Sequence, residues 1–282
     1  MEIIIVTIVL IGLIIGSYTD LKTREVPDWL NFSLVAIGIG ANLIFSLVYL
    51  DYTFIVNSLA GFGLFFLFAI LMYYTGQWGG GDSKMIMGLG ALIGFDIFFR
   101  GFPVAISLLF NILIVGAAYG LIWSIVLVIK NFKKFKKEVS KVKNGIKNVL
   151  LIVMGLFLIA SFFVKDIGLK TSLIILALAP ILIYYLYVYV KAIENVCMLK
   201  YVTPDKLTEG DWIAKDIVVN GKKITGPKDL GISIVNIKKL VRFYKKGKIK
   251  KVLIKEGIPF VPSFLIGYLV TLIFGNIILL LV

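Results

Sequence analysis

Long runs of apolar residues, separated by short polar stretches, make up most of this chain. A helix needs about 20 mostly apolar residues to cross a bilayer comfortably. Eight runs approach this length, at 3–19, 30–50, 54–75, 85–99, 103–129, 149–164, 171–190 and 259–282. The first, fourth and sixth runs are short, as expected where the membrane is thinned or a helix end is buried in the bundle. The pattern predicts an all-α polytopic membrane bundle of about eight transmembrane helices.

The hydrophobic pattern changes over residues 191–257, which form the one soluble piece of the chain. Stretches 196–202, 212–219 and 248–254 resemble strands, and Asn220-Gly221 favours a hairpin turn. Ser233 can cap an amphipathic helix that runs to Tyr244. We expect a small cytoplasmic α+β domain that needs support from the membrane part. Its role is substrate handling, regulation or stability.

This pattern divides the chain into five parts. We expect residues 1–129 to form a membrane core, 130–148 a basic cytoplasmic loop and 149–190 two further transmembrane helices. Residues 191–257 are the soluble domain, and residues 258–282 are a last transmembrane helix. The lysine-rich loop lies on the membrane surface as an amphipathic helix or forms a solvated connection.

Basic residues outnumber acidic ones, with Lys+Arg 30 against Asp+Glu 16. A basic surface can bind nucleic acid, but the placement of the charges favours another explanation. With the N-terminus outside, 27 of the 30 basic residues fall in four cytoplasmic connections, at 20–29, 76–84, 130–148 and 191–258. This is the positive-inside bias of membrane proteins. We predict a multi-pass plasma-membrane protein that faces anionic lipid and binds no nucleic acid.

The chain has no histidine and a single cysteine, Cys197. One cysteine excludes an intramolecular disulfide and a multi-cysteine zinc site. The lack of histidine excludes Ser-His-Asp and Cys-His catalysis and histidine-bound metals. We therefore predict no metal and no cofactor, and the groups left for chemistry are carboxylates, lysines, hydroxyls and backbone dipoles.

Two aspartates lie beside apolar runs in unusual local settings. Asp20 ends the first run, and Asp82 follows a glycine run and opens the fourth. The predicted orientation places both at the cytoplasmic ends of their helices. Intramembrane acids are usually functional, and two close carboxyls can share one proton and activate a water. Taken singly, Asp20 is also explained by pairing with Lys22 or Arg24, and Asp82 by capping of a turn.

Two further segments accompany the aspartates. The first is a run of three glycines, Gly79, Gly80 and Gly81. Glycines permit positive φ and close approach of another chain, so we expect an extended substrate to bind there. The second segment precedes the last apolar run and contains Pro259, Phe260 and Pro262. Its prolines prevent a regular helix start and leave backbone groups unpaired, although an ordinary proline-started helix explains this segment alone.

Together these elements resemble a known family. An Asp followed closely by Val-Pro, then Gly-x-Gly-Asp-x-Lys, then Ile-Pro-Phe-x-Pro-x-Phe-Leu-x-Gly is similar to the archaeal prepilin and prearchaellin peptidases. These class III signal peptidases belong to the Gly-x-Gly-Asp aspartyl proteases, which include presenilin. The resemblance covers residues 3–94 and the last run. It implies that Asp20 and Asp82 are catalytic and that the broken last helix borders the substrate cleft.

The resemblance also implies a substrate and a place of action. Family members cut just after the short basic leader of type IV pilin-like subunits, at the cytoplasmic membrane face. Without the paired Cys-x-x-Cys motifs of bacterial prepilin peptidases, we predict no methylation of the new terminus. Three alternatives stay open: a presenilin-like intramembrane protease, a transporter or channel, and a non-enzymatic membrane scaffold.

Overall fold

The computed structural model describes residues 3–98, 103–141, 145–219 and 221–281. Within these residues the chain forms eleven α-helices: α1 (Ile3–Thr23), α2 (Asp28–Val48), α3 (Thr53–Tyr74), α4 (Gly80–Ile93), α5 (Val104–Lys130), α6 (Phe132–Val139), α7 (Gly145–Phe162), α8 (Ile167–Ile193), α9 (Ile234–Lys245), α10 (Val261–Phe274) and α11 (Ile277–Leu281). Five strands lie in the soluble part: β1 (Leu199–Val202), β2 (Trp212–Ile213), β3 (Ile217–Val219), β4 (Lys222–Thr225) and β5 (Val252–Lys255).

The long helices confirm the predicted class of fold. Among the described residues, five helices are long and apolar enough to cross a membrane: α1, α2, α3, α5 and α8 with the π-helical turn that follows it. Helices α7 and α10 are shorter but apolar. Helix α4 is also short and carries Asp82 and Lys84 near its start, and each predicted run overlaps one of these eight helices. The protein is a polytopic helical membrane bundle with a small α+β region.

Two predicted runs have the wrong boundaries. The fourth, predicted at 85–99, forms α4 five residues earlier and ends at Ile93, because Gly94 adopts a φ of 72°. The last, predicted as one helix over 259–282, is divided into α10 and α11 at Gly275, whose φ is 67°. A glycine in the left-handed conformation is a common helix terminator. Phe99, the predicted end of the fourth run, lies outside the described residues.

Helix α4 is enclosed by its neighbours. Gly90 on α4 and Gly61 on α3 face each other so closely that an added Cβ on Gly90 would lie 2.6 Å from the Gly61 carbonyl oxygen. On the other side, a Cβ on Gly38 of α2 would lie 2.7 Å from the backbone at Ala91. Small residues allow helix backbones to approach closely in membranes. Helix α4 therefore lies between α2 and α3 at near backbone contact.

Helix α10 closes the bundle between α1 and α5. Its Gly267 lies against the backbone of Ile112 on α5, where a Cβ would be 3.0 Å from the Ile112 Cα. The side chains of Phe264 and Tyr268 are fully buried. The last helix is therefore packed beside the first and fifth helices, next to the part of the chain that carries the aspartates.

Helices α7 and α8 form a separate hairpin. Most of their large apolar side chains are exposed, as expected for helices that face lipid. One link to the core is the pair of hydroxyls Ser124 Oγ on α5 and Tyr189 OH on α8, which are 2.9 Å apart. The short basic helix α6 lies beside α8, where Phe135 meets Tyr189 edge to face.

The soluble part contains a three-stranded antiparallel sheet in the order β1-β5-β2 and a separate β3–β4 hairpin. Helix α9 packs on the sheet through Leu240, within an apolar core that includes Ile213, Ile232 and Val252. Helix α9 is capped by Ser233, as predicted. The hairpin lies where Asn220-Gly221 predicted it, although Asn220 itself is outside the described residues.

Two predicted strands in the soluble part are wrong in extent. Residues 194–198, which include the predicted start of the first strand, form a π-helical turn that continues α8, so β1 begins only at Leu199. The predicted strand 212–219 is divided into β2 and β3. The two pieces join different sheets, since β2 pairs with β5 and β3 pairs with β4.

Candidate active site

Asp20 lies in the last turn of α1 and is buried, with 5% of its surface exposed. Leu13, Gly16 and Ser17 on the same helix are also buried, and their spacing places them with Asp20 on one helical face. This face of α1 turns into the bundle, toward α4 and α10. A Cβ on Gly16 would overlap the end of Met85 on α4 and would lie 3.3 Å from Val261 on α10.

The carboxylate of Asp20 is bound by the start of α10. Its Oδ2 accepts a hydrogen bond of 2.9 Å from the backbone N–H of Val261. The first N–H groups of a helix have no partner within the helix, and a carboxylate near a helix N-terminus is favoured. The Val261 N–H, which lies between the two prolines at the start of α10, therefore has the Asp20 carboxylate as its partner, 241 residues away in the chain.

The basic residues that follow Asp20 have other contacts. The Lys22 ammonium is 3.4 Å from the Tyr18 hydroxyl, to which it donates. The Arg24 guanidinium lies over the Trp123 ring, 5.3 Å from its centroid, and its charge still acts on Asp20 through space. The Asp20 carboxylate is therefore held by the Val261 N–H, and not by an interfacial ion pair with Lys22 or Arg24, which was the alternative explanation.

Asp82 is the third residue of α4, and its side chain folds back on the helix start. Its Oδ2 accepts a hydrogen bond of 3.1 Å from the Gly79 N–H. Helix α4 therefore begins two residues before Asp82. The capping explanation of Asp82 is correct, and it leaves the second carboxyl oxygen available for another role.

The three glycines lie at the start of α4. Gly79 is extended, and Gly80 and Gly81 form the first turn of the helix. The positive φ in this loop belongs to Gly76, at 70°. Gly81 instead supports a close contact, since a Cβ there would lie 3.2 Å from Val26. Binding of an extended substrate at these glycines stays a prediction.

The elements that carry the aspartates meet at one end of the bundle. The loop after α1 reaches Gly81 through Val26, and the Asn31 amide on α2 is 3.4 Å from the Gly81 carbonyl oxygen. The charge of Asp20 acts on Asp82. The two acids therefore lie within electrostatic range of each other, although 62 positions separate them in the chain.

An aromatic cluster joins the glycine loop to the proline segment. The Trp78 ring lies 5.8 Å from Phe260 and 5.0 Å from Phe264, measured between ring centroids. Pro259 and Pro262 are buried beside it. All three residues predicted from the proline segment thus border the region of the aspartates. Trp78 was missed in the sequence, where a tryptophan before a glycine run is typical of a membrane interface.

The soluble domain contacts the same end of the bundle. The Tyr73 hydroxyl at the end of α3 donates a 2.8 Å hydrogen bond to the Leu230 carbonyl oxygen. A Cβ on Gly76 would lie 3.0 Å from the Trp212 ring. Burial raises the pKa of Asp211, hydrogen bonds from Thr208 oppose this, and the negative charge of Glu25 adds to the rise. The domain therefore contacts the loop before α4, and its Asp211 lies within electrostatic range of Glu25 in the loop after α1.

The architecture is that of a multi-pass membrane protein with two acids at one end of its helical bundle, of which Asp20 is buried and Asp82 is half-buried. No group of three or more potential metal ligands occurs among the residues that the structure describes. Residues 7–125, which contain both acids, match the Type IV leader peptidase family. The proline segment and the soluble domain lie beyond the matched residues.

Three curated relatives are preflagellin peptidases. That of Methanocaldococcus jannaschii is 43% identical over 83 residues, which are 29% of this chain and 35% of the relative. For Methanococcus maripaludis the identity is 40% over 83 residues, 29% of this chain and 36% of the relative. For Methanococcus voltae the identity is 36% over 84 residues, which are 30% of this chain and 36% of the relative. The chain spans about a third of the length of these relatives. The resemblance to leader peptidases that the sequence predicted is confirmed for residues 7–125.

Proposed function

We propose that this protein is a membrane aspartyl endopeptidase that removes the short basic leader of type IV pilin-like precursors, prepilins or prearchaellins. The observation that carries the proposal is the placement of Asp20 and Asp82. Both acids lie at one end of the bundle, each bound by backbone N–H, within electrostatic range of each other. The similarity to leader peptidases over residues 7–125 supports the choice of substrate class.

The proposed reaction is addition of water to the scissile peptide bond. One carboxylate removes a proton from the water, whose oxygen attacks the carbonyl carbon. The other carboxyl, protonated, gives its proton to the carbonyl oxygen. Collapse of the tetrahedral intermediate breaks the C–N bond. The leaving nitrogen takes up the proton held by the first carboxyl, and one hydroxyl of the intermediate gives its proton to the second carboxylate, which restores the dyad with one proton. Since two close carboxyls do not both ionise readily, the pair titrates as a unit.

The contacts of each carboxyl group suit these roles. Oδ2 of Asp20 is bound to Val261 N–H, and Oδ2 of Asp82 is bound to Gly79 N–H. These bonds fix the orientation of both side chains, and such positioning is a large part of catalysis. In this proposal, the second oxygen of each carboxyl faces the water and the substrate carbonyl.

The distribution of charge supports cleavage at the cytoplasmic face. The aspartates lie at the end of α1 that leads into a basic connection and at the start of α4, and 27 of the 30 basic residues belong to connections on this side. A precursor would pack its apolar helix against the bundle, with its basic leader on the same side. Exposed Glu25 would attract the leader, although surface charges contribute weakly.

The test is cleavage of a membrane-embedded precursor with a lysine-rich leader ahead of an apolar helix. We expect Asp20→Asn and Asp82→Asn each to lower the cleavage rate by at least about 1,000-fold, the scale of losing a central catalytic group. Asp166→Asn is the matched control. Asp166 is an exposed cap of α8 that accepts from Leu169 N–H, and asparagine caps equally well.

Two readouts decide between the candidate functions. N-terminal sequencing of the product places the cut after the leader for a leader peptidase, and within the apolar helix for a presenilin-like protease. Near wild-type cleavage by either aspartate variant would remove the dyad from the mechanism. Thermal unfolding in detergent, followed by tryptophan fluorescence, checks that each variant is folded.

A further inference from the structure

One face of α5 lies against the region around Asp20. Gly116, Tyr119 and Trp123 share this face, because residues separated by three and four positions are neighbours on a helix. At one end, Gly116 lies under Phe260, so that a Cβ there would be 3.2 Å from the ring carbon Cε2. At the other end, the Trp123 ring supports the Arg24 guanidinium.

Both neighbours of this face belong to segments that are bonded to Asp20. Phe260 precedes Val261, whose N–H donates to the Asp20 carboxylate. The Arg24 N–H donates a 2.9 Å hydrogen bond to the Asp20 backbone carbonyl. Tyr119 lies between these two contacts on α5, and its hydroxyl is within electrostatic range of Asp20 and Arg24. The residues on either side of Tyr119 on this face of α5 therefore contact segments that are bonded to Asp20, one at its carboxylate and one at its backbone carbonyl.

The Tyr119 hydroxyl is buried and has no hydrogen-bond partner among the described residues. Buried polar groups are nearly always paired, so an unpaired one calls for an explanation such as a role in catalysis. Further oxygens of this kind lie beside the aspartates. Ser17 Oγ is one turn before Asp20, Ser83 Oγ follows Asp82, and Asn31 Oδ1 belongs to the side chain that contacts Gly81. Several unpaired polar atoms thus belong to the segments that carry the proposed dyad.

We propose that Tyr119 is a third catalytic residue, whose hydroxyl binds the carbonyl oxygen of the scissile peptide bond. This inference rests on the proposed peptidase function. The phenol keeps its own proton throughout the reaction. It donates a hydrogen bond to the carbonyl oxygen as electron density moves there during attack by water, before the protonated carboxyl delivers its proton. The Arg24 guanidinium nearby adds favourable positive charge on the same side.

The test is Tyr119→Phe, which removes the hydroxyl and keeps the ring that Trp123 contacts at 5.8 Å between centroids. We expect kcat for precursor cleavage to fall about 100-fold, as for loss of one oxyanion donor, with KM changed less than threefold. Tyr18→Phe is the matched control, since Tyr18 is an exposed phenol two positions from Asp20. Its cleavage rate stays within twofold of wild type.

A binding measurement keeps the test independent of turnover. A precursor peptide with a hydroxyethylene group at the cleavage site mimics the tetrahedral intermediate. We expect its affinity to fall by about the same factor as kcat/KM in Tyr119→Phe, because the lost bond acts on the transition state. Wild-type kcat and unchanged inhibitor affinity in Tyr119→Phe would overturn the role of Tyr119 while the aspartate variants stay inactive. Active aspartate variants would instead overturn the peptidase mechanism itself.

Discussion

Helices α4 and α8 both overlap apolar runs of the sequence, but other helices cover them to very different extents. Eight of the 14 residues of α4 are buried, whereas four of the 27 residues of α8 are buried. Apolar side chains gain no free energy by leaving lipid for a protein interior of similar polarity. Apolar content therefore predicts that a helix lies in the membrane, and it does not predict which neighbours the helix has.

Small and polar residues account for the difference. Helix α4 presents Gly88, Gly90 and Ala91 to its neighbours, and the Asn42 amide and the Ser58 hydroxyl bond to the Ala91 carbonyl oxygen at 3.3 Å and 2.6 Å. At 14 residues α4 is only about 21 Å long, too short for a hydrocarbon core of about 30 Å. Its surroundings are protein on several sides, which is the setting in which a charged residue such as Asp82 is tolerated.

The largest effect is expected where α3 and α4 touch. An alanine at Gly61 would overlap the Gly90 carbonyl oxygen, which belongs to backbone and cannot move aside. We expect Gly61→Ala to lower the free energy of unfolding by about 1–3 kcal/mol, the range for an overpacked core, and to reduce cleavage because α4 is displaced. Thermal unfolding in detergent and the cleavage assay measure the two effects.

The control lies two residues away on the same helix. A Cβ on Gly63 meets nothing within 4 Å, and alanine is a better helix former than glycine by about 1 kcal/mol. Gly63→Ala is therefore neutral or stabilising. Equal melting temperatures for the Gly61 and Gly63 variants would show that the close contact of α3 with α4 does not hold the site together.

The two regions also differ in what their sequences reveal. The apolar runs overlap the five helices that are long enough to cross a membrane and the shorter helices beside them, because hydrophobic length is a local property. Helix boundaries are less certain, since Gly94 and Gly275 end helices within apolar stretches. The packing partners of each helix are harder still to predict, because no local feature of the sequence indicates that α10 packs between α1 and α5. That arrangement depends on contacts such as Gly267 with Ile112, which join distant parts of the chain.

For the candidate site, the sequence indicates the acids and the breaks in helical pattern beside them. Carboxylates at helix ends and prolines before a helix are local signals, and the structure places Asp20, Asp82 and Phe260 in one region. Tyr119 was not predicted, because a tyrosine within a long apolar run is typical of many membrane helices. Its position becomes informative only when α5 is seen beside Asp20.

A smaller effect is expected at the soluble domain, which continues from the loosely packed α8 but docks on the tightly packed core. Trp212 on β2 covers Gly76 in the loop before α4. We expect Trp212→Ala to weaken docking by about 1–2 kcal/mol, the cost of truncating an important interface residue. Trypsin digestion of the soluble domain should become several-fold faster, while the melting temperature of the membrane helices is unchanged.

Tyr201→Ala is the control for this docking contact. Tyr201 lies on β1 of the same sheet and is largely exposed. Trypsin sensitivity like that of wild type is expected for this variant. If the two variants are digested at the same rate, the contact of Trp212 with Gly76 does not hold the domain on the core.

The smallest effect is expected at the link between the core and the α7–α8 hairpin. Tyr189→Phe removes the hydroxyl that meets Ser124 Oγ and keeps the ring that packs on Phe135. Hydrogen bonds between membrane helices contribute about 0.6 kcal/mol on average, so we expect a small decrease in melting temperature and less than a twofold change in cleavage.

The exposed Tyr187 offers the control Tyr187→Phe, with no change in either quantity. A loss of cleavage in Tyr189→Phe as large as that in Gly61→Ala would mean that the hairpin controls the geometry of the aspartates, and the distinction between a rigid core and a peripheral hairpin would be wrong.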